Sequence, residues 1–258
     1  MIDNNLTGRD AYIQAHRGYS GLYPENTMIS FEKALKAGAG IIELDVHVSA
    51  DKEVFVIHDE TLDRTTDGTG YIGDMSSDQI KRLDAGSWFS EDFRGERVPT
   101  LAEAIDLIRD KAITNIEIKA WPSDYSEWRK TIEKTVNVVN DLDAWQDVMF
   151  ISFDLQALIA LKEYKSEAYA GFLDAREGQE LKKQDLLKFL NINGWYPHPQ
   201  IATSELISAA KEKGFSVICG AGKSEVNIKE EVVDRINMGV NGISTNYPQE
   251  VRNILEEL

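Results

Sequence analysis

Two hydrophobic periods alternate along the chain. Short segments in which apolar residues run together or recur at every second position read as strands at 11–16, 41–48, 54–58, 114–119, 148–153, 168–173, 215–219 and 242–245. A further apolar run at 189–192 reads the same way. Between them lie segments with helical spacing. In 27–37, Ile29, Phe31, Ala34 and Leu35 form one stripe, and Gly38 follows as a stop. Thr100 and Glu103 form a T-x-x-E capping box at a helix start, Asp154 can cap the helix after 148–153, Gly214 ends one, and Pro248 suits a first turn. About eight strands separated by helical crossovers predict an α/β fold, a TIM-like (β/α)8 barrel, with a doubly wound open sheet as the competing arrangement.

Two places break the rhythm. Only residues 49–53 separate the second and third strands, too few for a parallel crossover, so these strands should form an antiparallel β2-β3 hairpin. A turn centred on Asp51-Lys52 would set Asp45 opposite His58. After the third strand, residues of about 60–99 are rich in Asp, Gly, Ser and Thr, carry one helical stretch near 77–83, and include Trp88, Phe89 and Phe93. A segment this long is expected to be an insertion over one rim, within a single domain spanning 1–258. Its aromatic residues should pack it onto the barrel, the other reading being an apolar substrate wall.

The strand period also sorts the ionisable residues. In Glu43-Leu44-Asp45-Val46-His47, the acids and the histidine share one face, and Leu44 and Val46 share the other. Glu117 and Lys119 share a face in the same way, between Ile116 and Ile118. Acids aimed into a barrel must find a partner, because an unpaired buried charge is costly. Either pair alone reads first as an acidic edge strand. Recurrence on two strands favours convergence of Glu43, Asp45 and Glu117 as hard oxygen ligands for Mg²⁺ or Ca²⁺. Zinc is disfavoured, because no Cys or multi-His spacing is present.

His16 and His58 each end a strand, followed by Arg17-Gly18 and by Asp59. In a barrel that junction lies on the face where active sites are built. Two imidazoles beside a metal could divide general base and general acid roles, and Arg17 and Lys119 could bind phosphate oxygens. His47 and His198 keep the ordinary hydrogen-bonding reading. Pro24-Glu25-Asn26-Thr27 reads as a helix start. Arg64-Thr65-Thr66 and Gly68-Thr69-Gly70 read as a polar loop, since neither is a Gly-rich phosphate cradle.

Charge narrows the partners. With 28 Lys and Arg against 44 Asp and Glu, the net charge is −16. Such a surface repels nucleic acid and anionic lipid, so no nucleic-acid partner and no stable membrane association is expected. A small anionic substrate in a locally positive pocket remains compatible. The N-terminal residues lack the pattern of a secretory signal, no apolar run reaches the roughly 18 residues of a membrane span, and Cys219 has no second cysteine to pair with. A soluble, cytoplasmic protein is the expectation.

Taken in order, His16-Arg17-Gly18, Pro24-Glu25-Asn26-Thr27, Phe31, Ala34, Glu43-Leu44-Asp45-Val46, His58-Asp59, Arg64-Thr65-Thr66, Gly68-Thr69-Gly70, Glu117-Ile118-Lys119, Ser152-Phe153 and the closing 242–248 segment resemble the glycerophosphodiester phosphodiesterase family. The resemblance implies a TIM-like barrel with a small insertion. It also implies hydrolysis of small glycerophosphodiesters, such as glycerophosphocholine or glycerophosphoethanolamine, to sn-glycerol 3-phosphate and an alcohol. It assigns a divalent metal to Glu43, Asp45 and Glu117, acid/base chemistry to His16 and His58, and phosphate binding to Arg17 and Lys119. A lysophospholipase D-like phosphodiesterase and a noncatalytic glycerophosphodiester-binding protein are the alternatives. The chain departs from the family where a tryptophan often ends the seventh strand, here Val217 to Ala221, and at Asn246, where aspartate is frequent.

Overall fold

The structure is a computed structural model that describes residues 8–119, 125–175, 178, 180–221 and 227–258. Its strands are β1 (Tyr12–His16), β2 (Ile41–Val48), β3 (Val54–Val56), β4 (Ile113–Ile118), β5 (Val148–Ser152), β6 (Ala170–Asp174), β7 (Gly194–Pro197), β8 (Ser216–Gly220) and β9 (Gly242–Thr245). All but β3 pair in parallel, in the order β1-β9-β8-β7-β6-β5-β4-β2. Pairing of β1 with β2 closes the ring. This is an eight-stranded parallel barrel of the TIM type, and closure excludes the open sheet.

Helices cover the outside: α1 (Met28–Lys36), α3 (Leu101–Ile108), α4 (Tyr125–Asp141), α5 (Leu155–Tyr164), α6 (Glu180–Phe189), α7 (Ser204–Glu212), α8 (Ile228–Asn237) and α9 (Pro248–Glu257), while the short α2 (Ser77–Ile80) belongs to the 60–99 segment. The predicted caps form. Thr100 and Glu103 exchange both bonds of the capping box, Asp154 accepts from Gln156 N, and Pro248 opens α9. Gly214 lies at φ +87° just past α7.

Strand alternation divides the interior in two. Ile42, Leu44, Val46, Ile116, Ile118, Val148 and Phe150 face the helices in the main core, and Ile41, Met149, Ile151, Tyr169, Tyr196 and Ile218 fill the barrel itself. Glu43, Asp45, Asn115 and Glu117 have the inward phase.

Three sequence expectations need correction. The apolar run at 189–192 is the end of α6 and the turn after it, with the Phe189 side chain 85% exposed. The strand there is Gly194–Pro197, whose glycine and proline disguise it. The predicted helix at 77–83 is shorter, α2 ending at Ile80. In the hairpin, Val46 pairs with Val56 and Ile57 N donates to Asp45 O, so Asp45 faces Ile57 and not His58. The loop has three residues, closed by Ser49 N to Glu53 O, with Lys52 in the left-handed region at φ 78°. One extra loop residue moves the register by one.

The 60–99 segment has a hydrophobic cluster of its own, in which Leu62, Ile72, Ile80, Ala85 and Val98 pack with Phe55 and Ile57 from the hairpin. Its aromatics do pack it down: Trp88 meets Phe89, Phe89 meets Phe93, and Phe93 meets Tyr23 of the first barrel loop at 5.6 Å. Gly86 permits this corner, since a Cβ there would lie 1.9 Å from the Phe93 carbonyl oxygen. Gly86→Ala is therefore expected to cost about 2 kcal/mol by backbone displacement, read as a lower unfolding temperature.

Candidate active site

The three acids come together because of strand register. Within the parallel β1-β2-β4 sheet His16 is paired with Glu43, and Asp45 with Glu117. Each of Glu43, Asp45 and Glu117 offers a carboxylate oxygen, all within 4.8 Å of one another, and all three side chains are buried. The set fits a hard divalent cation: every donor is a carboxylate oxygen, and Glu43 Oε1 is buried with no hydrogen-bond partner among the described residues. The other oxygen of Glu43 accepts from Arg17 N at 2.9 Å.

Two cations offset the acids. Lys119 Nζ lies 2.8 Å from Asp45 Oδ1 and 2.6 Å from Glu117 Oε1, and Arg17 Nε lies 3.3 Å from Asp45 Oδ2. Burial alone would raise the Asp45 carboxyl, but Lys119, Arg17 and His58 hold it well below the usual carboxylate range. Glu117 goes the other way: burial first, and Asp45 second, push it up to about 7. Glu43 is also raised well above its ordinary value, by burial and by Asp45 and Glu117. Without a bound metal ion, Lys119 and Arg17 therefore keep Asp45 ionised, while Glu117 and Glu43 release their protons at higher pH than an ordinary carboxyl.

The first loop is shaped for this task. Arg17 and Asn26 both adopt positive φ, at 57°, and Gly18 follows Arg17 at φ 78° with Ser30 Oγ where a Cβ would stand, 2.4 Å away. The turn lets Asn26 Nδ2 donate to Asp45 Oδ2 at 2.8 Å, with Asn26 Oδ1 facing Asp45 N. The helix-start tetrapeptide thus also orients an acid of the cluster, a role its sequence did not disclose.

β3 stops at Val56, short of the predicted 54–58, so His16 ends its strand while His58 stands two residues beyond its own; both border the same cavity of about 320 Å³, together with Glu43, Glu117, Lys119 and Tyr196. His16 Nδ1 lies 2.8 Å from Asn246 Oδ1, an acceptor that favours the tautomer with its proton on Nδ1. His58 Nδ1 bonds Asp59 Oδ1 at 2.5 Å. Burial lowers the His58 pKa, and Asp45 and Asp59 offset only part of the drop. His47 is not part of this group; its Nε2 meets the His58 carbonyl oxygen at 3.0 Å. His198 also keeps a local role, its Nδ1 accepting from Gln200 N, although it lines the cavity.

Sequence reasoning missed Glu25 and Arg64 as parts of the site, and it missed Tyr196 because β7 was misplaced. A wider cleft of about 650 Å³ runs from His58, Glu117 and Lys119 past Phe153, Phe172 and Leu173 to Lys183, which is ion-paired with the buried Asp174 at 2.8 Å. No helix of the described residues is long and apolar enough to cross a membrane.

This chain is similar to known proteins over nearly its whole length. It is 34% identical over 244 residues to a glycerophosphodiester phosphodiesterase of Caldanaerobacter subterraneus, covering 94% of this chain and 97% of that one. It is 32% identical to a Bacillus altitudinis glycerophosphodiester phosphodiesterase, covering 95% and 98% of the two chains. Among solved structures, a glycerophosphodiester phosphodiesterase from Agrobacterium tumefaciens superposes with a TM-score of 0.80 at 30% identity, covering 94% and 99%. A phosphodiesterase from Oleispira antarctica, solved in complex with the product sn-glycerol-3-phosphate, superposes at 0.83 and 29% identity, covering 95% and 96%. With residues 16–250 also matching the profile of the glycerophosphoryl diester phosphodiesterase family, the chain belongs to that family of hydrolases.

Proposed function

We propose that the protein hydrolyses small glycerophosphodiesters to sn-glycerol 3-phosphate and an alcohol, with a divalent metal and two histidines, in a single barrel domain of 1–258 that carries 60–99 as an insertion. The observation that carries this reading is the buried triad of carboxylates bordered by two imidazoles whose Nδ1 atoms are each anchored. Product binding by the Oleispira relative supports the substrate class.

Glu43, Asp45 and Glu117 would hold Mg²⁺ or Ca²⁺. When bound, the ion would stabilise negative charge on the phosphate and make the glycerol C2 hydroxyl more acidic. The three acids and two cations of the site sum to −1 when all are ionised. A divalent ion brings the sum to +1, the sign a phosphodiester requires. Arg17 and Lys119 steady the phosphate oxygens. One imidazole takes the proton of the C2 hydroxyl as its oxygen attacks phosphorus, and the other protonates the departing alkoxide. Water then opens the cyclic phosphate with the roles exchanged.

A coupled assay for glycerol 3-phosphate release from glycerophosphocholine tests the activity. Release is expected with Mg²⁺ or Ca²⁺ and is expected to stop with chelator; undiminished release in chelator would refute metal dependence. Rapid quench should trap a cyclic glycerophosphate, and a substrate lacking the C2 hydroxyl should resist cleavage. Normal cleavage of that analogue would replace internal attack with attack by water.

A further inference from the structure

Arg64 is the one basic side chain of the 60–99 segment whose contacts, among the described residues, lead into the site. Its guanidinium holds two carboxylates at once. Nη2 and Nη1 bond Glu25 at 2.8 and 3.0 Å, and Nε and Nη2 bond Asp59 at 2.6 and 3.0 Å. Each carboxylate passes the contact on. Glu25 Oε1 accepts from Arg17 Nη1 at 2.9 Å, and Asp59 Oδ1 meets His58 Nδ1 at 2.5 Å. The loop that presents Arg64 is itself fixed, because Leu62, Thr65 and Thr66 are buried and Thr66 Oγ1 donates to Leu62 O at 2.6 Å.

We propose that Arg64 is a positioning residue that aligns His58 through Asp59 and Arg17 through Glu25, so that the 60–99 segment completes the active site. This rests on the roles given above to His58 and Arg17. The Arg64 side chain is 42% exposed, and exposed ion pairs add little stability, so its effect lies in orientation and not in folding. The planar fork is essential to the argument. Two carboxylates can each receive two N–H bonds from one guanidinium, whereas an ammonium offers a single point of charge.

The test compares wild type, Arg64→Ala, Arg64→Lys, Asp59→Asn and the Asp59→Asn/Arg64→Ala double variant, assayed with glycerophosphocholine and excess Mg²⁺. Arg64→Ala is expected to lower kcat about 10- to 100-fold and to raise KM, with little change in unfolding temperature. Arg64→Lys should recover part of the loss and also serves if the alanine variant does not fold. Once Asp59→Asn has uncoupled His58, the arginine change should lower kcat by less than about twofold more, while its effect on KM persists. Wild-type kinetics in Arg64→Ala or Arg64→Lys, or a kcat loss that is fully additive with Asp59→Asn, overturns the proposal. Inactivity of the wild type with this substrate would instead overturn the function on which it rests.

Discussion

Replacing His16 or His58 by alanine is expected to lower kcat about 10³-fold and to leave divalent-ion binding intact. Neither ring is among the three acids that would hold the metal, and each has its Nδ1 engaged, His16 with Asn246 and His58 with Asp59. What is lost is therefore proton transfer, not assembly of the site. The double variant should fall little below the worse single one, because attack and departure share one step and fail when either proton is unserved. Stopped assays of glycerol 3-phosphate release give kcat, and a Mg²⁺-dependent shift in unfolding temperature reports the ion. Full activity in either single variant would remove that histidine from the reaction.

The second large effect is in stability. In the metal-free protein Glu117 is pushed up to about 7, against an ordinary value of 4.5. Between these values the folded protein keeps a proton that the unfolded chain has released. The stabilisation from this group is complete below about pH 4.5 and is lost as pH rises through 7, a loss of about 3 kcal/mol for Glu117 alone. Glu43, raised by the same burial and the same neighbours, acts in the same direction. Asp45 is held low, so its opposite contribution is lost only below the ordinary aspartate range and does not cancel the effect. Metal-free protein is thus expected to be less stable at pH 8 than at pH 5.5. Added Mg²⁺ or Ca²⁺ should raise the unfolding temperature more at pH 8, where the carboxylates need not release protons to bind it. Glu117→Gln, a neutral replacement of the same shape, should flatten the pH dependence and reduce the metal-induced shift. A metal-free protein equally stable at both pH values, or Glu117→Gln that retains the drop, would contradict this account.

The acidic balance of the sequence takes on a local meaning in the barrel. The net charge of −16 belongs to the chain as a whole, whereas at the cavity the acids Glu43, Asp45 and Glu117 are met by Arg17 and Lys119. The global sign therefore does not forbid an anionic substrate.

The sequence by itself determined the alternation of strands and helices, the hairpin, most helix caps and the inward acids, because each depends on local pattern, whereas the pairing of β1 with β2 decided the closed barrel over an open sheet. Alternation along β2 and β4 aims Glu43, Asp45 and Glu117 inward whatever the partners of those strands. Local pattern failed where composition contradicts environment: Gly194–Pro197 is a strand in spite of its glycine and proline, and the apolar 189–192 run is not one. It failed also by one residue in the hairpin, where the size of the loop fixes the register.

Only the tertiary structure decided which charges meet. The pairings of Arg17 with Asp45, Asn246 with His16, Asn26 with Asp45 and Arg64 with both Glu25 and Asp59 depend on strand register and on loops folding back over the barrel rim. A period of two says which face a side chain takes. It does not say which side chain stands across from it, because that is set by closure of the barrel and by the packing of the 60–99 segment against the first loop.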